Sequence, residues 1–376
     1  MGYEYVSVAP GGKEDNKGVI NMKVFAILHE PASYTIDRNR TVYDPMGVQY
    51  AYMHRNSFAV ADSDEVDNEC LPSSLFALIR RLKTILREND VVIMNGYTNI
   101  VFVILFILNI FYHKEIGIDS DTQLAIPNSL AKRCLKYLYL RLVFGNRQVY
   151  GLAGGNGSHK ELFLHYGMNK SRVFLMPMMV NNEKYYCSTK EPHDAFTFLY
   201  VGRLVECKNL KVLFDAFVSR FANDAATRLV VVGEGDMSAQ YKSQYENSNN
   251  IIFVGKQSGG KLVAYYHDAD ALVLPSSYEP WGLVVNEAMS AGLPVIVSDR
   301  VGAAQDLVDG RETGFVFHYD DVDDLAEKMA ILRDDAALRQ RMSSNAYHLM
   351  HDYWNYDLYT NCLKEFIEYV KDKRHC

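Results

Sequence analysis

Two glutamates carry the clearest chemistry in this chain. Glu279 and Glu287 are separated by seven residues, within the stretch EPWGLVVNEAMSAGLPVIVSDRVG at 279–302. Ala271–Leu274 ahead of it reads as a short apolar strand, closed by Pro275, Ser276 and Ser277. A helix is predicted from about 282 to 291, stopped by Gly292 and Pro294, with a further strand over 295–297. Such a strand–loop–helix–strand unit belongs to a parallel sheet, where ligands collect beyond the carboxyl ends of the strands. Glu279 then precedes the helix, and Glu287 lies about one turn inside it. Between them, the amides near Gly282 and Leu283 are first-turn donors with the positive end of the helix dipole behind them. An anion site flanked by two hydroxyl-accepting carboxylates suits a diphosphate held between a ribose and a hexose, which is the shape of a nucleotide sugar. Taken singly, each carboxylate reads more readily as a solvated charge.

A second cluster supports the same chemistry. GRLVECKNLKVLFDAF at 202–217 follows the apolar strand Phe196–Val201 and offers Arg203 and Lys208. A guanidinium fork and an ammonium beside a departing diphosphate stabilise its charge more in the transition state than in the ground state.

These stretches resemble the retaining glycosyltransferases of family 4 (glycosyl transferases group 1), strongly over about 196–334 and weakly before that. The resemblance implies an α/β protein of GT-B fold, with two Rossmann-like domains facing across a cleft and a C-terminal helix crossing back to the first. On it, G-R-L followed by K-N is the phosphate loop, so Arg203 and Lys208 hold the diphosphate together with amides near Gly282 and Leu283. Glu287 takes the ribose hydroxyls, and Glu279 takes the donor sugar and steadies charge at its anomeric carbon. Gly255 and Lys256 fall on the segment that lines the nucleobase site. GEG at 233–235 falls where glycine lets backbone approach the ligand. MPMMVNNEKY at 176–185 resembles the family's exit from its first domain. The implied organisation is a flexible extension at 1–21, an acceptor-binding domain at 22–185 completed by a helix at 354–376, and a nucleotide-sugar domain at 195–353.

Bulk properties agree with two cores. At 376 residues the chain exceeds one ordinary domain. A net charge of -7 argues against a nucleic-acid partner. Six scattered cysteines (Cys70, Cys134, Cys187, Cys207, Cys362 and Cys376) form no CxxC pair and read as reduced thiols. Residues 1–21 lack an apolar h-region, and Val6 stands where a myristoylation signal needs Ser or Thr.

The first half is less regular. A buried strand is predicted over 22–28. Residues 29–57 follow without a helical period and suit an acceptor loop with Arg38, Arg40, Tyr43 and Asp44, or simply a polar connection. An amphipathic helix is predicted over 72–87, with Leu75, Ile79, Leu82 and Leu86 on one face. The apolar run Ile100–Tyr112 is too short to span a membrane and reads as a fully buried helix, with a bilayer-dipping helix as the alternative. LAKRCLKYLYLRLVF at 130–144 reads as a sheet-packed helix with a basic edge, or as a surface for anionic lipid. Asp119-Ser120-Asp121 is a D-x-D string of the kind that holds a metal in the GT-A fold, but it lies away from the donor motif. Asp119, where the resembled family commonly has His, is the acceptor-side candidate. Gly154–Ser158 reads only as a tight turn.

The resulting expectation is a retaining hexosyltransferase using a UDP-sugar first and a GDP-sugar second. Its acceptor would be a glycan or a lipid-linked glycan in cell-surface polysaccharide or lipopolysaccharide synthesis. The resemblance places it in the cytoplasm, with a peripheral contact on the inner face of the cell membrane. No metal ligand or resident cofactor is expected, the donor being a substrate. The rival readings are a nucleotide-sugar epimerase of similar architecture and a non-catalytic nucleotide-sugar-binding protein.

Overall fold

The structure is a computed structural model and describes residues 22–55, 69–186, 194–246 and 248–375. The extension expected at 1–21 and residues Cys187 and Cys376 lie outside it. Two six-stranded, wholly parallel sheets organise the chain. The first contains β1 (Val24–Leu28), β2 (Gln49–Tyr52), β3 (Val91–Asn95), β4 (Glu115–Ser120), β5 (Val149–Ala153) and β6 (Val173–Leu175), in the order β2-β1-β3-β4-β5-β6. The second contains β7 (Phe196–Val201), β8 (Thr227–Val232), β9 (Ile251–Gly255), β10 (Ala271–Leu274), β11 (Val295–Ser298) and β12 (Gly314–Phe317), in the order β12-β11-β10-β7-β8-β9. Strands such as VFAIL and ALVL are apolar throughout because helices cover both faces of each sheet.

The helices are α1 (Ser33–Arg38), α2 (Asp44–Met46), α3 (Leu75–Glu88), α4 (Ile100–Tyr112), α5 (Leu130–Gly145), α6 (Ser158–His165), α7 (Leu210–Phe221), α8 (Ser238–Gln244), α9 (Gly259–His267), α10 (Leu283–Ser290), α11 (Val322–Asp334), α12 (Ala336–His348) and α13 (Tyr356–His375). Helices α3 to α6 bury their inner sides against Phe25, Ile27, Val92, Met94, Ile116 and Ile118 on one face of the first sheet. The alternate residues Val24, Ala26 and Leu28 face the other core, which includes α13. The last helix crosses back to the first sheet: Phe366 packs on Tyr150 and Phe174 with ring centroids 5.5 and 5.4 Å apart, and Arg374 Nη1 meets Asp90 Oδ1 at 2.9 Å.

Three expectations from the first half need correction. The stretch after β1 is helical: α1 runs through a π turn at Asn39–Tyr43 into α2. Its buried stripe is Thr35, Asn39, Val42, Tyr43 and Met46, and the two polar members hid the helical period. The buried face of α3 is Leu78, Leu82, Ile85 and Leu86, while Leu75 is exposed in its first turn. Helix α4 is not fully buried. Val101, Phe102, Leu105 and Asn109 face the sheet, whereas Ile100, Ile107, Ile110 and Phe111 are exposed. A helix in an outer layer has only one side to bury, and its sequence is apolar all round regardless. No helix among the described residues is long and apolar enough to cross a membrane.

Candidate active site

In the second sheet the chain runs from β7 to β8 and β9 on one side, then returns to build β10, β11 and β12 on the other. This reversal opens a crevice between the carboxyl ends of β7 and β10. The loop after β7 enters a 3₁₀ turn at Glu206–Lys208, and Asn209 takes a left-handed conformation at φ 54°. Asn209 Nδ2 donates to Pro275 O at 3.2 Å and Tyr319 O at 2.7 Å. Ser277 donates to Cys207 O from its amide at 2.9 Å and its hydroxyl at 3.1 Å. These bonds fasten the β7 loop to the β10 loop.

The fastening brings Lys208 Nζ onto Glu279 Oε2 in a close ion pair, with Ser276 Oγ donating to the same oxygen at 3.3 Å. Both charged side chains are largely covered, at 14% and 13% exposure. Arg203 stands exposed on the same loop, and its carbonyl accepts from Tyr200 Oη at 2.9 Å. Gly282 turns the chain into α10 at φ 98°, where an added Cβ would lie 3.1–3.2 Å from Leu274, Glu279 and Val301. The free first-turn amides of α10, near Gly282 and Leu283, therefore lie directly behind Glu279 in the chain. Lys208, Glu279 and this helix end converge, and Arg203 lies on the loop that carries Lys208.

Gly255 and Lys256 stand two strands away along the same rim, roughly 10 Å at the usual strand spacing. Lys256 is exposed, and Gly255 O accepts from Gly233 N at 2.9 Å. Glu287 lies inside α10. Its Oε2 accepts from Tyr266 Oη at 2.5 Å, and Tyr185 donates to it as well. Burial pushes its carboxyl above the ordinary range, while the two phenols pull the other way. Nothing in the local sequence signalled these tyrosines, one of which comes from the exit of the first domain.

The glycines of GEG pack closely against the β7 loop. A Cβ on Gly233 would lie 1.8 Å from Gly202 O, and one on Gly235 would lie 2.4 Å from Leu204 O. They make room for the loop that carries Arg203, and Glu234 O accepts from Leu204 N at 3.0 Å. Gly233→Ala, at φ 137°, is expected to cost more than about 1 kcal/mol of stability. Chemical denaturation measures the loss.

The first sheet reverses between β1 and β3. A cavity of about 130 Å³ lies at that point, lined by His29, Glu30, Tyr34, Arg38, Asn95, Asp119 and Asp121 among others. Asp119 pairs with Arg38 at 3.8 Å and accepts from Asn95 Nδ2 at 3.5 Å. Arg38 also lies over the rings of Tyr43 and Tyr359 at 4.7 and 5.5 Å. Tyr43 is fully buried with its hydroxyl 3.0 Å from that of Tyr359, so its place is in the core and not on an open loop. Arg40 and Asp44 are exposed and line no part of this cavity. Burial raises the Asp121 carboxyl, and across the domain interface Glu279 raises it further, while His159 lowers it.

Burial lifts Asp119 to about 6. A folded value above the ordinary 3.8 means the native state holds an extra proton between the two. The associated stability is present at low pH and is lost as pH rises through about 6. Relative to Asp119→Asn, the wild-type chain should therefore gain roughly 1–1.5 kcal/mol at pH 5 over its standing at pH 8. Chemical denaturation at the two pH values measures this.

The two domains meet on the glutamate loop itself. Gln123 Nε2 donates to Glu279 O at 2.7 Å, and His159 Nε2 lies 2.9 Å from Pro280 O. Trp281 is buried against Trp354, stacked at 5.7 Å, and donates to Asn286 Oδ1 at 2.7 Å. Asn156 N, in the supposed simple turn at Gly154–Ser158, donates to Asp306 Oδ2 at 2.9 Å. Gln123, His159 and Asn156 were invisible as site residues, because their partners are carbonyls and a carboxylate more than a hundred residues away.

Residues 181–349 match the family model for glycosyl transferases group 1. An uncharacterised glycosyltransferase of Methanocaldococcus jannaschii is 30% identical over 181 residues, covering 47% of this chain and 45% of that protein. A D-inositol 3-phosphate glycosyltransferase of Corynebacterium glutamicum is 33% identical over 248 residues, 61% of this chain and 57% of that protein. The chain thus spans about half the length of these curated relatives. The structure of Anabaena Alr3699/HepE in complex with UDP superposes with a TM-score of 0.75 at 16% identity, over 92% of this chain and 100% of that one. The architecture is therefore the two-domain α/β GT-B fold.

Proposed function

We propose that the crevice binds a nucleotide sugar and transfers its sugar to an acceptor held in the cavity of the first domain. The observation that carries this reading is the Lys208–Glu279 pair, assembled from two loops at the reversal point of the second sheet, beside Arg203 and the start of α10. Cations and helix amides suit the diphosphate, and Glu279 suits the sugar attached to it. A UDP-sugar is the first choice and a GDP-sugar the second; the similar Anabaena protein with UDP supports that ranking. Gly255, Lys256 and Glu287 face the nucleoside in this reading, Glu287 exchanging a phenol for a ribose hydroxyl.

Transfer proceeds with retention. The bond from the anomeric carbon to the diphosphate oxygen breaks, and the bond to the acceptor oxygen forms on the same face. The acceptor's proton passes to the departing phosphate oxygen. Arg203, Lys208 and the amides near Gly282 and Leu283 stabilise the charge left on the diphosphate, so no metal is required. Glu279 steadies the positive charge at the anomeric carbon. Asp119 holds Arg38 at the wall of the acceptor cavity. The acceptor is a glycan or a lipid-linked glycan, and the proposed setting is polysaccharide synthesis at the cytoplasmic face of the cell membrane.

A thermal-shift panel with UDP, GDP, ADP, CMP and dTDP, with and without magnesium, tests the donor class. A nucleotide at about 100 times its Kd adds about 2.7 kcal/mol of apparent stability. The expected result is one base giving a metal-independent shift that Arg203→Ala abolishes. No shift with any of them would sink the donor site. Incubation with the matching nucleotide sugar should then release nucleoside diphosphate only when acceptor is present; an epimerised sugar, or no turnover, would replace the transferase reading.

A further inference from the structure

We infer that the outer face of helices α3, α4 and α5 is a docking surface for an anionic lipid bilayer. The three helices lie side by side on one face of the first sheet, because their inner sides share one core with its strands. Their outer sides therefore form one continuous layer with nothing packed over it among the described residues. Over α4 and α5 and at the first turn of α3 that layer is apolar where a soluble surface would be polar, while further along α3 it carries exposed Arg80, Lys83 and Arg87. Phe76 on α3 is 90% exposed, Phe111 on α4 is 77% exposed, and Leu130 and Leu135 on α5 are each 72% exposed. Leu135, Leu138 and Leu142 follow each other at helical spacing and make a stripe along α5. A run of large exposed apolar side chains on three adjacent helices marks a binding face and not scattered surface hydrophobes.

Charge selects the occupant. Residues 130–147 contain five Lys or Arg and no acid, in a chain whose net charge is -7. Lys132 and Arg133 are exposed in the first turn of α5, ahead of the leucine stripe. A bilayer with phosphate headgroups above hydrocarbon meets both features at once: apolar side chains enter the acyl boundary and the cations meet the phosphates. Helix α4, at thirteen residues and without a charged side chain, is too short to span but suited to lie in the interface.

The surface adjoins the cleft. The first turns of α3, α4 and α5 follow the carboxyl ends of β2, β3 and β4. The loop from Asp121, on the cavity wall, leads through exposed Ile126 to Leu130. Docking would set the mouth of the cavity at the membrane, where a lipid-linked molecule could enter it. The lipid contact itself does not depend on the transferase reading, and its test uses no sugar.

The full chain is to be sedimented with vesicles of phosphatidylcholine alone and of phosphatidylcholine with phosphatidylglycerol. Strong binding is expected only to the anionic vesicles. Each cation at the surface is worth about fivefold in affinity, so Lys132→Gln with Arg133→Gln should remove most of that preference. Leu135→Ser, Leu138→Ser and Leu142→Ser together should lower binding at least about tenfold while the melting temperature holds. Phe76→Ser with Phe111→Ser, on the other two helices, should do the same and replaces the leucine variant if that variant fails to fold. Wild-type protein that stays in the supernatant, or variants that sediment as well as wild type, would overturn the inference. So would a dimer by light scattering that the leucine variant dissociates, with no vesicle binding, since a second copy would then be what covers the face.

Discussion

Lys208→Ala is expected to lower the turnover number by about 10³-fold, with a much smaller change in KM for the donor. In the proposed transfer the ammonium faces charge that builds on the diphosphate as the sugar departs, so its loss would fall on the transition state. The substitution has a second effect that the ion pair makes visible. Glu279 would be left largely covered, with Ser276 as its remaining donor. The variant should therefore also lose stability, by on the order of 1–3 kcal/mol. Glu279→Ala should produce a comparable fall in turnover. Because the two groups act on one another, the double variant should be scarcely worse than either single one. Steady-state kinetics of the four proteins measures the coupling. Additive losses would mean that the pair seen in the structure is incidental to the chemistry.

Trp281→Ala should have the largest effect on the fold. The indole is fully buried and stacked on Trp354, and its Nε1 donates to Asn286 Oδ1. Asn286 in turn donates to Met178 O at 3.2 Å, and Trp354 Nε1 reaches the same carbonyl at 2.8 Å. Truncation opens a cavity between the two domains and leaves Asn286 Oδ1 without that donor. A loss of about 3–5 kcal/mol is expected in chemical denaturation. Glu279, two residues away, would lose its fixed position, so activity should fall even at temperatures where the variant remains folded. Trp281→Phe should recover most of the stability through packing but not the Asn286 contact.

Much of the second domain was legible in the sequence. Its strands are short apolar runs, several of them closed by glycine or proline. Gly282 at φ 98° and Gly292 at φ 75° bracket α10 as expected. The first domain was harder for identifiable reasons. The buried stripe over α1 and α2 includes Thr35 and Asn39, which masked its period. Helix α4 is apolar on both its buried and its exposed sides, so composition overstated its burial. Gln123, His159 and Asn156 serve the site by bonding across the domain interface, and no local pattern encodes such a partner.

The sequence by itself determined which groups are available: two glutamates a helical stretch apart, an arginine and a lysine after a strand, and a helix entry between glycine and leucine. Their types and local spacing are properties of neighbouring residues, and hydrophobic periodicity reports neighbouring residues well. Only the tertiary structure decided which of these groups meet. Lys208 and Glu279 touch because the strand order places β7 beside β10, although β8 and β9 lie between them in the chain. Asp119 is drawn onto Arg38 because the first sheet reverses between β1 and β3 and leaves a cavity there. Strand order is set by which buried surfaces and crossovers fit together over the whole domain, and that global packing is not written in any one segment.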